Sequence, residues 1–487
     1  MTQTDSVHDG YPVIIQGGMG VGVSNWGLAK AVSSHGHLGV VSGTALAAVL
    51  VRRLQDGDAN GDMRRALAAC PLRDAARRIE ERYFIKGGRE QSQPYRLTPL
   101  YSVDTSDELL ALTVVGNFTE VWLAKEGHSG VVGINLLEKI QLPTLASLYG
   151  ALLAGVDYVL MGAGIPRSIP GALDLLAAGQ KAEMKIAVDG DTTGGEHHIS
   201  FDPAQFTGTP APILHRPKFL AIVSSSALAT TLARKSNGKV DGLIVEGVTA
   251  GGHNAPPRGA PTFNERGEPI YGPRDSADLK AIKALGLPFW LAGSYAHPDQ
   301  LKAALALGAT GVQIGTAFAF CEESGLKPDI KLAVLRRSAA GTLSLLTDPR
   351  ASPTGMPFKV VDLYGTVSDP EVYEQRGRTC DMGYLRQAYQ KEDGSVGFRC
   401  PAEPEAGFIR KGGDPADAIG RKCLCNGLMS AIGLGQTCAD GEVEPPIVTA
   451  GDDVRDLGRF LVDGKFSYHA VDVLEFMMGE GNGESVS

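Results

Sequence analysis

The residues best suited to chemistry stand in Val245-Glu246-Gly247-Val248-Thr249-Ala250-Gly251-Gly252-His253-Asn254, an apolar run followed by small residues and a histidine. Paired glycines at a strand end let a flat ligand lie against bare backbone, and the next residue sets an imidazole beside it. A histidine near its ordinary pKa takes or gives a proton at neutral pH, so His253 is the candidate catalytic group. An isolated Gly-Gly-His would equally suit a solvated turn, and the segments that follow decide against that. Phe289-Trp290-Leu291-Ala292-Gly293-Ser294, a helical stretch from Asp299 to Leu307, and Gly311-Val312-Gln313-Ile314-Gly315-Thr316 read as strand, helix and strand. Gly293-Ser294 and Gly315-Thr316 offer unobstructed backbone N–H groups and two hydroxyls to an anion, as the loops after the last two strands of a barrel commonly do for phosphate.

Such residues need a scaffold that gathers strand ends. Short apolar runs occur at Val13–Gln16, His37–Val41, Val131–Asn135, Val156–Met161, Phe219–Val223, Leu243–Val245, Phe289–Ala292 and Gly311–Ile314. Several are followed by a Gly-rich turn and an Ala/Leu-rich stretch of helical spacing, which is a βα rhythm. The first helix is expected from Ser24, a good N-cap, to about Ser34, with Gly36 ending it. Strands this apolar on both faces suit a parallel sheet covered by helices. A dinucleotide-binding start needs glycines at relative positions one, three and six after the first strand, and the run from Gly17 to Gly20 fails that pattern in every register. The fold expected is therefore α/β, a (β/α)8 TIM barrel over about 1–350. It carries a charged, mostly helical insertion at about 47–105, and a C-terminal accessory region follows over 351–487.

At 487 residues, with 43% hydrophobic and 21% charged residues, the chain has the composition of an ordinary folded protein and is long enough for a large core. A net charge of −9 gives no overall field to draw phosphate backbones or anionic lipids, so neither nucleic acid nor a membrane is expected as a partner. Met1 to Gly10 lacks the basic start and apolar core of a secretory signal. Seven cysteines, an odd and sparse number, argue for reduced thiols. Together these features predict a cytoplasmic protein.

Taken in order, the motifs resemble the nitronate monooxygenase (2-nitropropane dioxygenase-like) family of FMN-dependent TIM barrels, which is related to flavin-dependent enoyl-acyl-carrier-protein reductases. Ile14-Ile15-Gln16-Gly17-Gly18-Met19-Gly20 resembles the opening strand and flavin-contacting turn, and Gly133-Ile134-Asn135-Leu136 the asparagine-bearing strand end. Glu246 to His253 resembles the Gly-Gly-His segment, and Ala292-Gly293-Ser294 with Gly315-Thr316 the phosphate loops. The resemblance runs from about Pro12 to Phe358, interrupted by the insertion. It implies FMN as cofactor, His253 over the flavin as catalytic residue, and Gly18, Met19, Asn135, Glu246, Gly251, Gly252, Gly293, Ser294, Gly315 and Thr316 as cofactor-binding residues. It implies oxidation of nitronates or nitroalkanes with O2 to carbonyl compounds and nitrite. Thr249 and Ser294 depart from the family pattern, where an acidic residue and a second glycine are common, and these changes bear on substrate more than on cofactor.

A rival reading keeps the flavin and makes the reaction an NAD(P)H-dependent reduction of an enoyl thioester. Asp348-Pro349-Arg350 through Gly355-Met356-Pro357-Phe358-Lys359 resembles barrels of polyketide and polyunsaturated lipid pathways. A third reading is a barrel-derived binding protein without chemistry. The long excursion from Asn254 through Arg274 is read either as a lid, whose Arg258 or Arg274 could pair with a substrate oxygen, or as a solvated surface loop. Cys380, Cys400, Cys423 and Cys425 cluster in the last quarter of the chain. Four thiolates could hold zinc or an iron–sulfur centre, but no paired C-x-x-C units occur, and no metal ligand is assigned. His35, His37, His197 and His198 read as helix-end or surface residues, and Trp26, Trp122 and Trp290 as packing residues. Oligomeric state is left open.

Overall fold

The computed structural model describes residues 7–8, 10–191, 196–438, 441–462 and 464–479. Eight short apolar segments form one sheet: β1 (Ile14–Gln16), β2 (Gly39–Ser42), β3 (Val132–Leu137), β4 (Tyr158–Gly162), β5 (Lys218–Val223), β6 (Gly242–Glu246), β7 (Phe289–Ala292) and β8 (Gly311–Ile314). Each pairs in parallel with the next, and β8 pairs with β1. The circle closes where Ile15 bridges Leu38, with Gln16 N donating to Leu38 O at 2.9 Å and Leu38 N to Ile14 O at 3.1 Å. The TIM barrel and all eight of its strands are thus where the apolar runs placed them.

Side chains fill the barrel, as they must when alternate residues point inward. Ile15, Leu38, Val40, Tyr158, Leu160, Leu220, Ile244, Trp290 and Ala292 form the inner cluster. Trp290 is fully buried, and its indole N–H donates to Pro12 O at 2.8 Å, which satisfies the one polar atom it takes into the core.

The first helix, Trp26–Ser34, starts one residue later than expected, because Asn25 caps it by accepting Leu28 N at 2.8 Å. Ser24 is used elsewhere: its hydroxyl accepts Met19 N and donates to Gly17 O, each at 2.9 Å, which pins the turn after β1. Helices Leu46–Gln55, Asp62–Ala69 and Arg73–Tyr83 make up the insertion, and an irregular stretch leads from them to helix Asp107–Lys125. His37, expected at a helix end, is fully buried at the foot of β2, and burial pushes its pKa down to about 4.

Part of the chain beyond 350 packs on the outside of the barrel. Helix Ala470–Met478 lies against the first helix and against helix Pro298–Ala306, which joins β7 to β8. It therefore occupies the place of the eighth outer helix, which the segment directly after β8 leaves open. Among the described residues no helix is long and apolar enough to cross a membrane.

If this terminal helix is integral, Leu474, 1% exposed, should matter as a core residue. Leu474→Ala is expected to lower the unfolding free energy by about 2–5 kcal/mol. Urea unfolding followed by circular dichroism measures this, and a loss below about 1 kcal/mol would show that the helix contributes no core.

Candidate active site

The C-terminal ends of the strands open into one cavity of about 220 Å³. Its lining includes Gly18, Met19, Asn135, Glu246, Gly251, Gly252, His253, Gly293, Ser294, Gly315 and Thr316. The barrel thus brings all the sequence-derived site residues to a single hollow, from five different strand ends.

Local sequence explains the shape. At Gly18 a Cβ would stand 2.3 Å from the Asn135 Cβ, so only glycine lets the turn after β1 lie against the end of β3. Gly293 has φ +99°, a conformation that favours glycine, and Ser294 follows with φ +58°. The left-handed conformation at Ser294 sits where a second glycine was expected, and here a side chain bears the strain.

Gly251 serves a purpose beyond the one expected of it. A Cβ there would meet the backbone of Ala450 and Gly451 at 2.6 Å, so the missing side chain admits the C-terminal chain rather than a ligand alone. Around it Gly252 N donates to Thr449 Oγ1 at 2.9 Å, Asp452 N to Thr249 O at 2.9 Å, and Gly451 N to Thr316 Oγ1 at 2.8 Å. The Thr316 hydroxyl, expected to be free for an anion, therefore already accepts a backbone N–H.

His253 lies beside Pro357–Lys359. Asn254 N donates to Pro357 O at 2.9 Å and Lys359 N to Gly252 O at 3.0 Å, while the imidazole meets the Phe358 ring edge-on at 4.9 Å. Its Nε2 is 2.7 Å from Ser352 Oγ. Burial among these groups pushes its pKa down to about 4, so the ring is uncharged at neutral pH and is a weaker base than its type suggests. At Glu246, on the last position of β6, the same burial pushes the carboxyl up to about 7. Two groups in one hollow are thus shifted in opposite directions by one cause, and the carboxyl is the one poised to exchange a proton near neutrality.

Sequence reasoning missed part of the lining. Gln313 and Thr44 line the cavity, and Gln313 Oε1 and Thr44 Oγ1 are buried without a hydrogen-bond partner. Both adjoin segments already singled out, and strand alternation would have turned Gln313 inward. Asp453 lines the cavity together with Ser294, and burial raises its pKa. No motif signalled that a carboxyl from the last part of the chain would reach this corner.

The lid expectation fails. Arg258 and Arg274 are exposed and lie outside the cavity lining. The excursion folds on itself, with Arg258 N donating to Asp275 Oδ1 at 2.8 Å and Tyr271 Oη to Ala255 O at 3.1 Å, and it is tied sideways by Thr347 N donating to Glu268 Oε1 at 2.9 Å. The cavity is covered instead by Phe358, Leu385, Leu424, Leu428 and Ile447 from the C-terminal region.

Residues 172–351 match the family model described as Nitronate monooxygenase. That span covers β5 to β8, the second half of the barrel, and over it the chain is similar to this family. Curated relatives include a probable nitronate monooxygenase of Bacillus subtilis, 36% identical over 121 residues, which are 25% of this chain and 33% of that protein. The nitronate monooxygenase of Pseudomonas aeruginosa is 36% identical over 121 residues, covering 25% of this chain and 32% of its own length. The chain therefore spans about a third of the length of the curated relatives it matches. Over the whole chain, the enoyl reductase domain of MlnA from Bacillus amyloliquefaciens is 11% identical with a TM-score of 0.49, covering 98% of this chain and 95% of that one.

Proposed function

We propose that the chain is an FMN-dependent oxidoreductase acting as a nitronate monooxygenase, with a small nitronate or nitroalkane and O2 as its substrates. The observation that carries the reading is the meeting of the Gly18 turn, the Gly251-Gly252-His253 turn and the two phosphate-type loops at one hollow on the strand-end face.

The residues present fit the flavin. The unpartnered Gln313 Oε1 and Thr44 Oγ1 offer hydrogen bonds to a polar heterocycle, and the bare backbone at Gly17 and Gly18 leaves room for a flat ring. Gly18, Met19, Asn135, Gly251 and Gly252 would hold the ring, while Gly293, Ser294, Gly315 and Thr316 would hold the phosphate. FMN, when bound, supplies the one-electron redox chemistry by which a nitronate and O2 become a carbonyl compound and nitrite. The chain supplies position and proton handling. Glu246 takes the α-proton of a neutral nitroalkane, and His253, uncharged and fixed by Ser352, hydrogen-bonds the substrate. Val21, Leu137, Ile140 and Leu326 keep water from the reacting groups.

One observation favours a second reading. Among the described residues no Lys or Arg lines the cavity, whose walls are largely apolar. An uncharged acyl chain suits such a wall better than an anion does, which supports NAD(P)H-dependent reduction of an enoyl thioester.

Anaerobic mixing separates the two. The oxidised yellow protein is expected to bleach with a nitronate and to recover its colour on admission of air. Bleaching by NADPH, with reoxidation by an enoyl thioester, would transfer the assignment to the reductase, and a protein that takes up no FMN would remove both.

The Glu246 carboxylate is present above about pH 7 and is lost as the pH falls through that value. Initial rates on a freshly added neutral nitroalkane should therefore rise with pH through about 7, and Glu246→Gln should abolish that rise while retaining turnover of the preformed nitronate. Equal losses on both forms would exclude Glu246 as the base.

Asp453 supplies a further test. An ionised carboxyl in the phosphate corner repels a phosphate, so FMN retention should fall as the pH rises through the upward-shifted pKa of Asp453. Asp453→Asn should bind FMN more tightly, by about tenfold for each 1.4 kcal/mol of repulsion removed. Fluorescence titration with FMN measures this, and weaker binding by the variant would show that the carboxyl assists the phosphate.

A further inference from the structure

A second, smaller cavity lies behind the wall of the first. Cys380, Cys400, Cys423, Cys425, Arg386 and Asn426 line it. Four of the seven cysteines of the chain thus come together from three separate segments. Cys380 lies in the loop after helix Pro370–Gln375, and Cys400 directly follows strand Val396–Arg399. Cys423 is the N-cap residue of helix Leu424–Ala431, and Cys425 stands in its first turn.

Two further features point to a bound group. Asn426 is 1% exposed, yet neither polar atom of its side chain has a partner. Arg386 brings a positive charge to the wall and is held by the carbonyl oxygens of Gly383 and Tyr101, not by a carboxylate.

Among the described residues no three Cys, His, Asp or Glu side chains stand close enough to share one metal ion. That disfavours tetrahedral zinc, whose bond length of about 2.3 Å would draw the sulfurs to roughly 3.8 Å of one another. An iron–sulfur cluster places several irons and inorganic sulfides between its ligands, so its four cysteine sulfurs stand farther apart. We propose that Cys380, Cys400, Cys423 and Cys425 ligate an iron–sulfur cluster. Leu385, Leu424 and Cys425 line both cavities, so the cluster adjoins the main site.

The test uses the full chain, purified without oxygen and then incubated with ferrous iron and sulfide. Iron, acid-labile sulfide, zinc and flavin are each measured per chain, and the dithionite-reduced protein is examined by low-temperature electron paramagnetic resonance. Iron and sulfide in equal amounts are expected, with a cluster signal on reduction. Cys400→Ser and Cys425→Ser should lose most of the iron, while Cys70→Ser, in the helical insertion, should retain it, and circular dichroism establishes that each variant is folded. Stoichiometric zinc without sulfide, or no iron after reconstitution of the unmodified chain, would overturn the proposal. So would an equal iron loss in Cys70→Ser. Iron is counted independently of flavin, so this outcome is separate from that of the proposed oxidoreductase reading.

Discussion

The candidate site depends on a backbone seam between the mouth of the barrel and the last part of the chain. Thr249, Gly252 and Asn254 on one side share hydrogen bonds with Pro357, Lys359, Thr449 and Asp452 on the other. Buried backbone groups at a barrel mouth need partners, and here the C-terminal chain supplies them. The result is a strand-end hollow roofed by apolar residues. Gly251 is the geometric condition for this contact, because any side chain there would collide with Ala450 and Gly451. The terminal helix Ala470–Met478, standing in the eighth outer position, fixes the same region to the barrel from below.

That roof sets the electrostatics. Burial destabilises whichever form is charged, so it raises the carboxyls of Glu246 and Asp453 and lowers His253. None of these shifts is led by a neighbouring charge. A histidine selected from sequence for its ordinary pKa thus becomes a neutral hydrogen-bonding ring, and a glutamate selected as a ligand contact becomes the group that titrates near 7. The type of a residue announces its chemistry only for the solvation it has in water, and the roof changes that solvation.

What could be read from sequence follows the same division. The eight strands were legible because each is a short apolar run with its own turn, and the clustering of Gly18, Asn135, His253, Gly293 and Gly315 followed from the rule that strand ends share one face of a barrel. The helix start at Ser24 was off by one because the hydroxyl had a stronger use in the turn after β1. Thr449, Gly451 and Asp453 were not legible, since they reach the site through docking of a segment that has no periodic signal. The excursion carrying Arg258 and Arg274 was too long for an ordinary loop, yet length alone could not tell a lid from a segment tied down at its side.

Helix Leu424–Ala431 shows how one short element can serve two hollows. Leu424, Leu428 and Ala431 recur at helical spacing and face the main cavity. The first turn of the helix, with Cys423 at its cap and Asn426 within it, faces the cysteine cavity. A change in the packing of that turn would therefore be felt on both sides, because Leu424 and Cys425 belong to both linings. A simple roof over the main site would require only apolar residues along this helix. The thiols and an unpartnered amide on its far side are additional, and packing of the main cavity does not account for them. Their placement ties the architecture of the C-terminal region to two hollows, of which the barrel motifs alone reveal only the first.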